Sequence, residues 1–189
     1  MDLENDIQQC LQILKAGGTI LYPTDTIWGI GCDATNASAV EKIKVLKNRP
    51  DEKSFIILVA DERDVLKHVA SADLRVFDYI HQQTKPVTII YEDAIGLADN
   101  LISADGSIAI RICHDEFCKH PIRRFRKPIV STSANLSGQP SPATFASIST
   151  PIINGVDYVV KHRQDDNSPR AASSIVRWNK SGTPIVIRS

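Results

Sequence analysis

Residues 19–36 read TILYPTDTIWGIGCDATN. A short apolar run, Thr19-Ile20-Leu21-Tyr22, enters a Pro-Thr-Asp-Thr turn and then meets Gly29-Ile30-Gly31-Cys32-Asp33-Ala34. That hexad has the Gly-x-Gly-x-x-Ala spelling of the dinucleotide fingerprint, so its reading decides whether the sheet is doubly wound around a cofactor. A dinucleotide loop needs its glycines directly after the strand and at the start of a helix, where free N–H groups meet the pyrophosphate. Here Gly29 stands well beyond Tyr22, and the next residue able to cap a helix, Asn36, stands well beyond Gly31. The acidic residue of the fingerprint falls at Asp51 or Glu52, behind a proline-terminated helix instead of a second strand. The Rossmann reading therefore fails on placement. The glycines are expected to permit a tight or bulged path of the chain.

Outward from this stretch, helical and strand periods alternate. Leu3, Ile7, Cys10, Leu11 and Leu14 recur at helical spacing over 3–16, and Gly17-Gly18 supplies a stop. Asn36 or Ser38 caps a second helix with the stripe Val40, Ile43 and Leu46, which Pro50 is expected to end. Phe55–Val59 is continuously apolar, as a strand covered on both faces would be. Helices are expected over 61–70 and 72–83, a strand at 87–91, and a strand at 107–113, where SIAIRIC alternates strictly. A helix near 115–126, broken or entered at Pro121, precedes a strand at 128–132, with further strands at 156–161, 173–178 and 184–188. The pattern predicts one α/β domain over 1–189, with a mixed β-sheet and flanking helices.

Composition narrows the function classes. The 189 residues carry 22 basic and 22 acidic side chains, so no whole-surface attraction draws the chain to nucleic acid. No apolar run approaches the ~20 residues that cross a bilayer, and MDLENDIQQC is too acidic for a leader. A cytoplasmic protein without membrane attachment is expected. Cys10, Cys32, Cys113 and Cys118 show no Cys-x-x-Cys spacing, and Cys113, His114, Cys118 and His120 match no common zinc pattern. No zinc is expected.

Four polar clusters sit at strand ends and turns. Thr24-Asp25-Thr26 follows the first strand, where, taken alone, an ordinary turn is the simpler explanation. Lys47, Arg49 and Lys53 gather around Pro50; they suit a polyphosphate, although cations also belong at helix C-termini. In SIAIRIC, Ser107, Ala109 and Arg111 share the face opposite Ile108, Ile110 and Ile112. Ser107 and Arg111 lie about 13 Å apart along the strand, far enough to touch two parts of one long ligand. An arginine centred in an apolar strand needs an anionic partner, either a ligand or a structural carboxylate. Finally, the strand at 128–132 delivers Ser131 and Ser133 to one face, and Asn135, Ser137 and Ser141 decorate the Gly/Pro-shaped loop behind it. These hydroxyls have no evident His or Asp beside them, which points to ligand positioning instead of covalent catalysis.

Six stretches in order, YPTDTIWGIGCDA at 22–34, KNRP with Lys53 at 47–53, SIAIR at 107–111, STSANLSGQPSP at 131–142, SSIV at 173–176 and PIVIR at 184–188, resemble the YrdC family of threonylcarbamoyl-adenylate synthases. The resemblance implies a twisted α/β fold with an open, positively lined cavity. It implies synthesis of threonylcarbamoyl-adenylate from L-threonine, bicarbonate and ATP with Mg2+, releasing pyrophosphate, for threonylcarbamoyl-adenosine in tRNA. By position it implies ATP contacts from Arg49, Lys53, Ser107, Ser133, Ser141 and Arg188, and threonine contacts from Thr26, Arg111, Ser131 and Ser173. Lys47 and Arg49 would form the family's Lys-x-Arg pair at the reacting phosphates. A tRNA or a tRNA-modifying transferase would be the partner. Two other readings stand beside it. One is an RNA-binding module using the basic run Lys119, His120, Arg123, Arg124, Arg126 and Lys127, although such a run is more often a solvated helix face. The other is carbamoyl-adenylate chemistry, as in related domains of hydrogenase maturation proteins.

Overall fold

The computed structural model describes residues 3–49, 55–168, 170–179 and 181–189. Helix α1 (Leu3–Lys15) buries Ile7, Cys10, Leu11 and Leu14, and Gly17, at φ +71°, turns the chain out of it. Strands β1 (Ile20–Tyr22) and β2 (Gly29–Gly31) pair antiparallel, with Tyr22 opposite Gly29. The glycines thus lie in a strand and form no bulge. A Cβ on Gly31 would sit 2.6 Å from the Val130 carbonyl oxygen and 2.7 Å from the Tyr22 ring, so the position is open only to a residue without one. A three-residue strand with two glycines has no periodic signal, which is why the sequence pattern hid it.

Helix α2 (Ala37–Lys47) starts where Asn36 Oδ1 accepts from the Ala39 N–H. It ends at Asn48, which takes the left-handed conformation at φ 48° with its N–H closing on Lys44 and Val45; Pro50, expected to end the helix, lies outside the described residues. Strand β3 (Ile56–Val59) follows, then α3 (Glu62–Leu66) and α4 (Arg75–His81). Both helices are shorter than their apolar pattern predicts. After Leu66 the chain unwinds through i→i−3 bonds from Lys67 and His68, and Val69 bridges to Ala94.

Strands β4 (Val87–Tyr91) and β5 (Ile108–Ile112) match their predicted places. Helix α5 (Glu116–Phe125) holds Pro121 inside it without breaking. Pro121 gives up the bond to the Phe117 carbonyl, and burial of Phe117, Cys118, Ile122 and Phe125 outweighs that loss. Strand β6 (Ile129–Ser133), helix α6 (Thr150–Gly155), the short β7 (Tyr158–Val159), β8 (Ser174–Trp178) and β9 (Pro184–Arg188) complete the chain.

The strands form one mixed sheet in the order β7-β1-β2-β6-β3-β5-β4-β8-β9. Registers Val130↔Ile57, Ile57↔Ile110 and Ile110↔Ile89 stack one face into a dry row beneath α3 and α5. The alternate row runs Ser131–Ile56–Ala109–Ile90 and looks the other way. Strand β3 is therefore covered by helices on one side only; its other side floors a cavity. Among the described residues, no helix is long and apolar enough to cross a membrane.

Candidate active site

The open face of the sheet holds a cavity of about 330 Å³, a size that accommodates a small-molecule ligand. Its floor is Ile56, Ile90, Ala109 and Ile175; Trp28 and Phe55 wall one side and Ile187 another. Into this apolar bowl reach three arginines from three elements: Arg49 beyond α2, Arg111 from the middle of β5, and Arg188 from β9. None of the described lining residues is acidic. An apolar bowl with fixed guanidinium groups selects an anion with an apolar or planar body.

Arg111 is the most constrained of the three. Its side chain is 5% exposed, and its Nε and Nη2 have no hydrogen-bond partner. The strand parity that put Arg111 with Ala109 is what brings it into the cavity. Arg49 lies with its guanidinium carbon 4.6 Å from the centre of the Phe55 ring, and burial pulls its pKa down. Arg188 donates from Nε and Nη2 to the Ser173 carbonyl at 3.2 and 2.7 Å, which fixes it to the wall.

The hydroxyls are ordered by their neighbours. Thr24 Oγ1 donates its single proton to the Ile27 carbonyl at 2.8 Å. The 2.9 Å contact between Thr24 and Thr26 therefore uses the proton of Thr26, and the cavity-lining Thr26 Oγ1 is left as an acceptor. Ser173 shares a proton with Thr88 across 2.7 Å, both buried. Ser131 has space because Gly29 on the adjoining strand, paired with Ser133, carries no Cβ; one would lie 3.1 Å from the Ser131 hydroxyl. Ser133 lines the cavity beside it, and Ser141 lines it from an exposed position on the following loop.

The structure thus brings Thr26, Arg49, Arg111, Ser131, Ser133, Ser141, Ser173 and Arg188 around one space. Two predicted residues lie elsewhere, and a third, Lys53, lies outside the described residues. Lys47 is 1% exposed and does not line the cavity; its ammonium donates to the carbonyls of Ser133 and Asn135. Ser107 faces a neighbouring depression with Ser103, Ala104, Asp105 and Arg177, which shares Ile90 and Ala109 with the main cavity. There Ser107 donates to Asp105 at 2.6 Å. Asp25, named in the first polar cluster but given no role there, lies with its carboxylate 3.1 Å from Arg111 Nη2, and the aromatic Trp28 lines the cavity without having been singled out in the sequence.

The other candidate chemistries find less support. Among the described residues no group of three or more His, Cys, Asp or Glu is placed to hold a metal. Cys113 and Cys118 are fully buried, and burial pushes the Cys118 thiol well up. In the basic run of α5, Arg124 pairs with Glu4, Lys127 with Asp33 and Lys119 with Glu116.

Fold and cavity together define an α/β protein with an arginine-lined cavity on the open face of a mixed sheet, the kind of site that suits a small anionic ligand. The chain belongs to the Sua5_yciO_yrdC family, described as telomere recombination, whose pattern matches residues 12–189. It is 35% identical over 146 residues to a threonylcarbamoyl-AMP synthase of Idiomarina loihiensis, covering 76% of this chain and 78% of that one. A threonylcarbamoyl-AMP synthase of Pseudoalteromonas translucida is 31% identical over 163 residues, covering 85% and 87%. The P. abyssi Sua5 structure complexed with L-threonine superposes with a TM-score of 0.85 at 18% identity, over 100% of this chain and 54% of that one. This chain spans about half the length of that protein, and the likeness at that identity is one of fold.

Proposed function

We propose that this chain joins L-threonine, bicarbonate and ATP into L-threonylcarbamoyl-adenylate with release of pyrophosphate, for the threonylcarbamoyl-adenosine modification of tRNA. The observation that carries the reading is Arg111, a buried guanidinium with unpartnered N–H groups in a cavity that holds two further arginines. A single amino-acid carboxylate answers the first demand, and a triphosphate answers the others. The names of the sequence relatives supply the same chemistry.

In this reading Arg111 receives the threonine carboxylate, and the acceptor Thr26 Oγ1 receives its amine or hydroxyl proton. The amine adds to CO2 derived from bicarbonate, giving a carbamate. A carbamate oxygen then attacks the α-phosphorus, the bond from the α-phosphorus to the bridging oxygen breaks, and pyrophosphate leaves. The nucleophile belongs to the substrate, which fits a cavity whose described lining residues include many hydroxyls and no Ser-His or Cys-His pair. The protein's work is alignment, worth up to about 7–11 kcal/mol, and neutralisation of charge. Arg49, Arg188 and Ser133 hold the phosphates, with Lys53 added by its place in the sequence, and Ser131 stays on the threonine side. Magnesium enters with the ATP substrate as the counter-ion of its phosphates. Ser107, in the adjoining depression, meets the far end of the nucleotide. The adenylate passes to a tRNA-modifying transferase in the cytoplasm, with no membrane involved.

The test is pyrophosphate release from ATP by the purified chain, which is expected to require both L-threonine and bicarbonate. Mass spectrometry with labelled bicarbonate is expected to show the label in the adenylate. No release, or release unchanged when serine replaces threonine, overturns the reading.

A further inference from the structure

Asp25 belongs to the turn after β1, Arg111 to the centre of β5, and the fold sets their side chains against each other. Asp25 Oδ1 lies 3.1 Å from Arg111 Nη2, and the two side chains are 9% and 5% exposed. Yet neither atom of that contact meets hydrogen-bond geometry: Asp25 Oδ1, Arg111 Nη2 and Arg111 Nε are all buried without a hydrogen-bond partner. The other carboxylate oxygen, Oδ2, accepts from the His114 N–H at 3.3 Å, which ties Asp25 to the chain just past β5. Among the described residues, Arg111 lines the cavity and Asp25 does not.

We propose that Asp25 is the positioning residue of the arginine fork that binds the amino-acid carboxylate. The inference rests on the proposed role of Arg111 and adds a partner to it. A buried guanidinium without a counter-charge is costly and would leave its site or draw in water. A carboxylate aligned for a bidentate bond would instead consume the donors the ligand needs. Asp25 is close enough to balance the charge and is misaligned, so the fork stays charged, desolvated and open. The Pro23–Thr26 turn holds it there: the Thr26 N–H donates to Thr24 Oγ1 at 3.0 Å, fixing the two residues that flank Asp25. That turn consequently does two jobs, presenting Thr26 to the cavity from the front and Asp25 to Arg111 from behind.

The experiment compares Asp25→Asn and Asp25→Glu with the wild-type chain in two readings. The first is substrate-free NMR of the Arg111 Nε–Hε cross-peak, assigned by its loss in Arg111→Lys. It is expected to be sharp in the wild type, absent in Asp25→Asn and broadened in Asp25→Glu. The second is the binding preference for L-threonine over L-threoninamide, which lacks the carboxylate charge. Asp25→Asn is expected to narrow that preference roughly tenfold, the size of one charge-assisted hydrogen bond, with threoninamide affinity little changed. A general loss of structure would weaken both ligands together. A sharp cross-peak in Asp25→Asn, or an unchanged preference, overturns the proposal. Should Asp25→Asn not fold, Asp25→Glu decides, and wild-type values in that variant overturn it. The NMR reading contains no substrate, so it judges the positioning role even if threonine fails to bind, an outcome that would instead overturn the proposed reaction.

Discussion

The Lys47 ammonium lies beneath the strand end that carries Ser133, donating to the Ser133 carbonyl and to that of Asn135 one turn further on. The Ser137 N–H returns a bond to the Lys47 carbonyl at 2.8 Å, so α2 and the loop after β6 are stitched in both directions. Lys47 thus fastens the backbone that carries the Ser133 hydroxyl. Lys47→Met removes the donor from two part-buried carbonyls, of which that of Ser133 keeps its bond from the Asn135 N–H, an expected loss of about 1–3 kcal/mol of stability. Urea unfolding checks it. Wild-type stability combined with lost turnover would instead return Lys47 to direct contact with the nucleotide.

Arg49 is expected to behave oppositely. It lines the cavity against Phe55 and serves the nucleotide in the proposed reaction. Arg49→Ala is expected to raise the KM for ATP and lower kcat/KM roughly tenfold to a hundredfold, the worth of a lost charge-assisted contact. The KM for threonine is expected to stay near the wild-type value, because Arg111 holds that end. Steady-state pyrophosphate release with each substrate varied in turn separates the two. Equal weakening of both substrates would remove the division of the cavity drawn here.

Much of the site was legible in local pattern. The alternation of SIAIRIC told which face Arg111 occupies, because parity in a strand is fixed by geometry. Ser131 and Ser133 followed from the same rule. What was hidden depends on distance in sequence. Nothing near Lys47 tells whether its ammonium meets a phosphate or a carbonyl, since burial of that position is decided by the loop after β6. Asp25 and Arg111 meet only once β1 and β5 take their places. Strand β2 and its pairing with β1 are hidden in the sequence because Gly29 and Gly31 carry no side-chain periodicity, and the meaning of Gly31 appears only when Tyr22 and Val130 close in on it.

That closeness gives a stability test of the opening stretch. Gly31→Ala would put a methyl into the Val130 carbonyl, the Tyr22 ring and Ile129, all under 3.0 Å. Two of these atoms belong to strand backbone or a fully buried ring and have nowhere to go. The expected cost is about 1–3 kcal/mol. Gly138, at φ +85° with nothing near its would-be Cβ, isolates the backbone effect from crowding. Thermal unfolding of both alanine variants distinguishes them. A Gly31→Ala midpoint equal to the wild type would mean β1 and β2 separate more readily than their register implies.

The depression beside the main cavity offers a pH test. Asp105 accepts from the Ser107 hydroxyl at 2.6 Å and the Ser107 N–H at 3.1 Å, with Arg177 3.3 Å away. The Ser107 hydroxyl, first, and its N–H hold the Asp105 carboxyl below the usual carboxylate range. A lowered folded pKa means the ionised form is favoured by folding. The stabilisation is therefore complete above the unfolded value near ~3.9 and is lost as pH falls through the lower folded value. Asp105→Asn keeps an acceptor for Ser107 but removes the charge. Its unfolding midpoint is expected to lie below that of the wild type at pH 7, with the gap closing below roughly pH 4. Because Asp105 is exposed, the gap at pH 7 is expected to be small and to shrink in high salt. A gap that stayed constant down to acid pH would show that the charge on Asp105 does not anchor Ser107. The hydroxyl facing the depression would then be set by the strand alone.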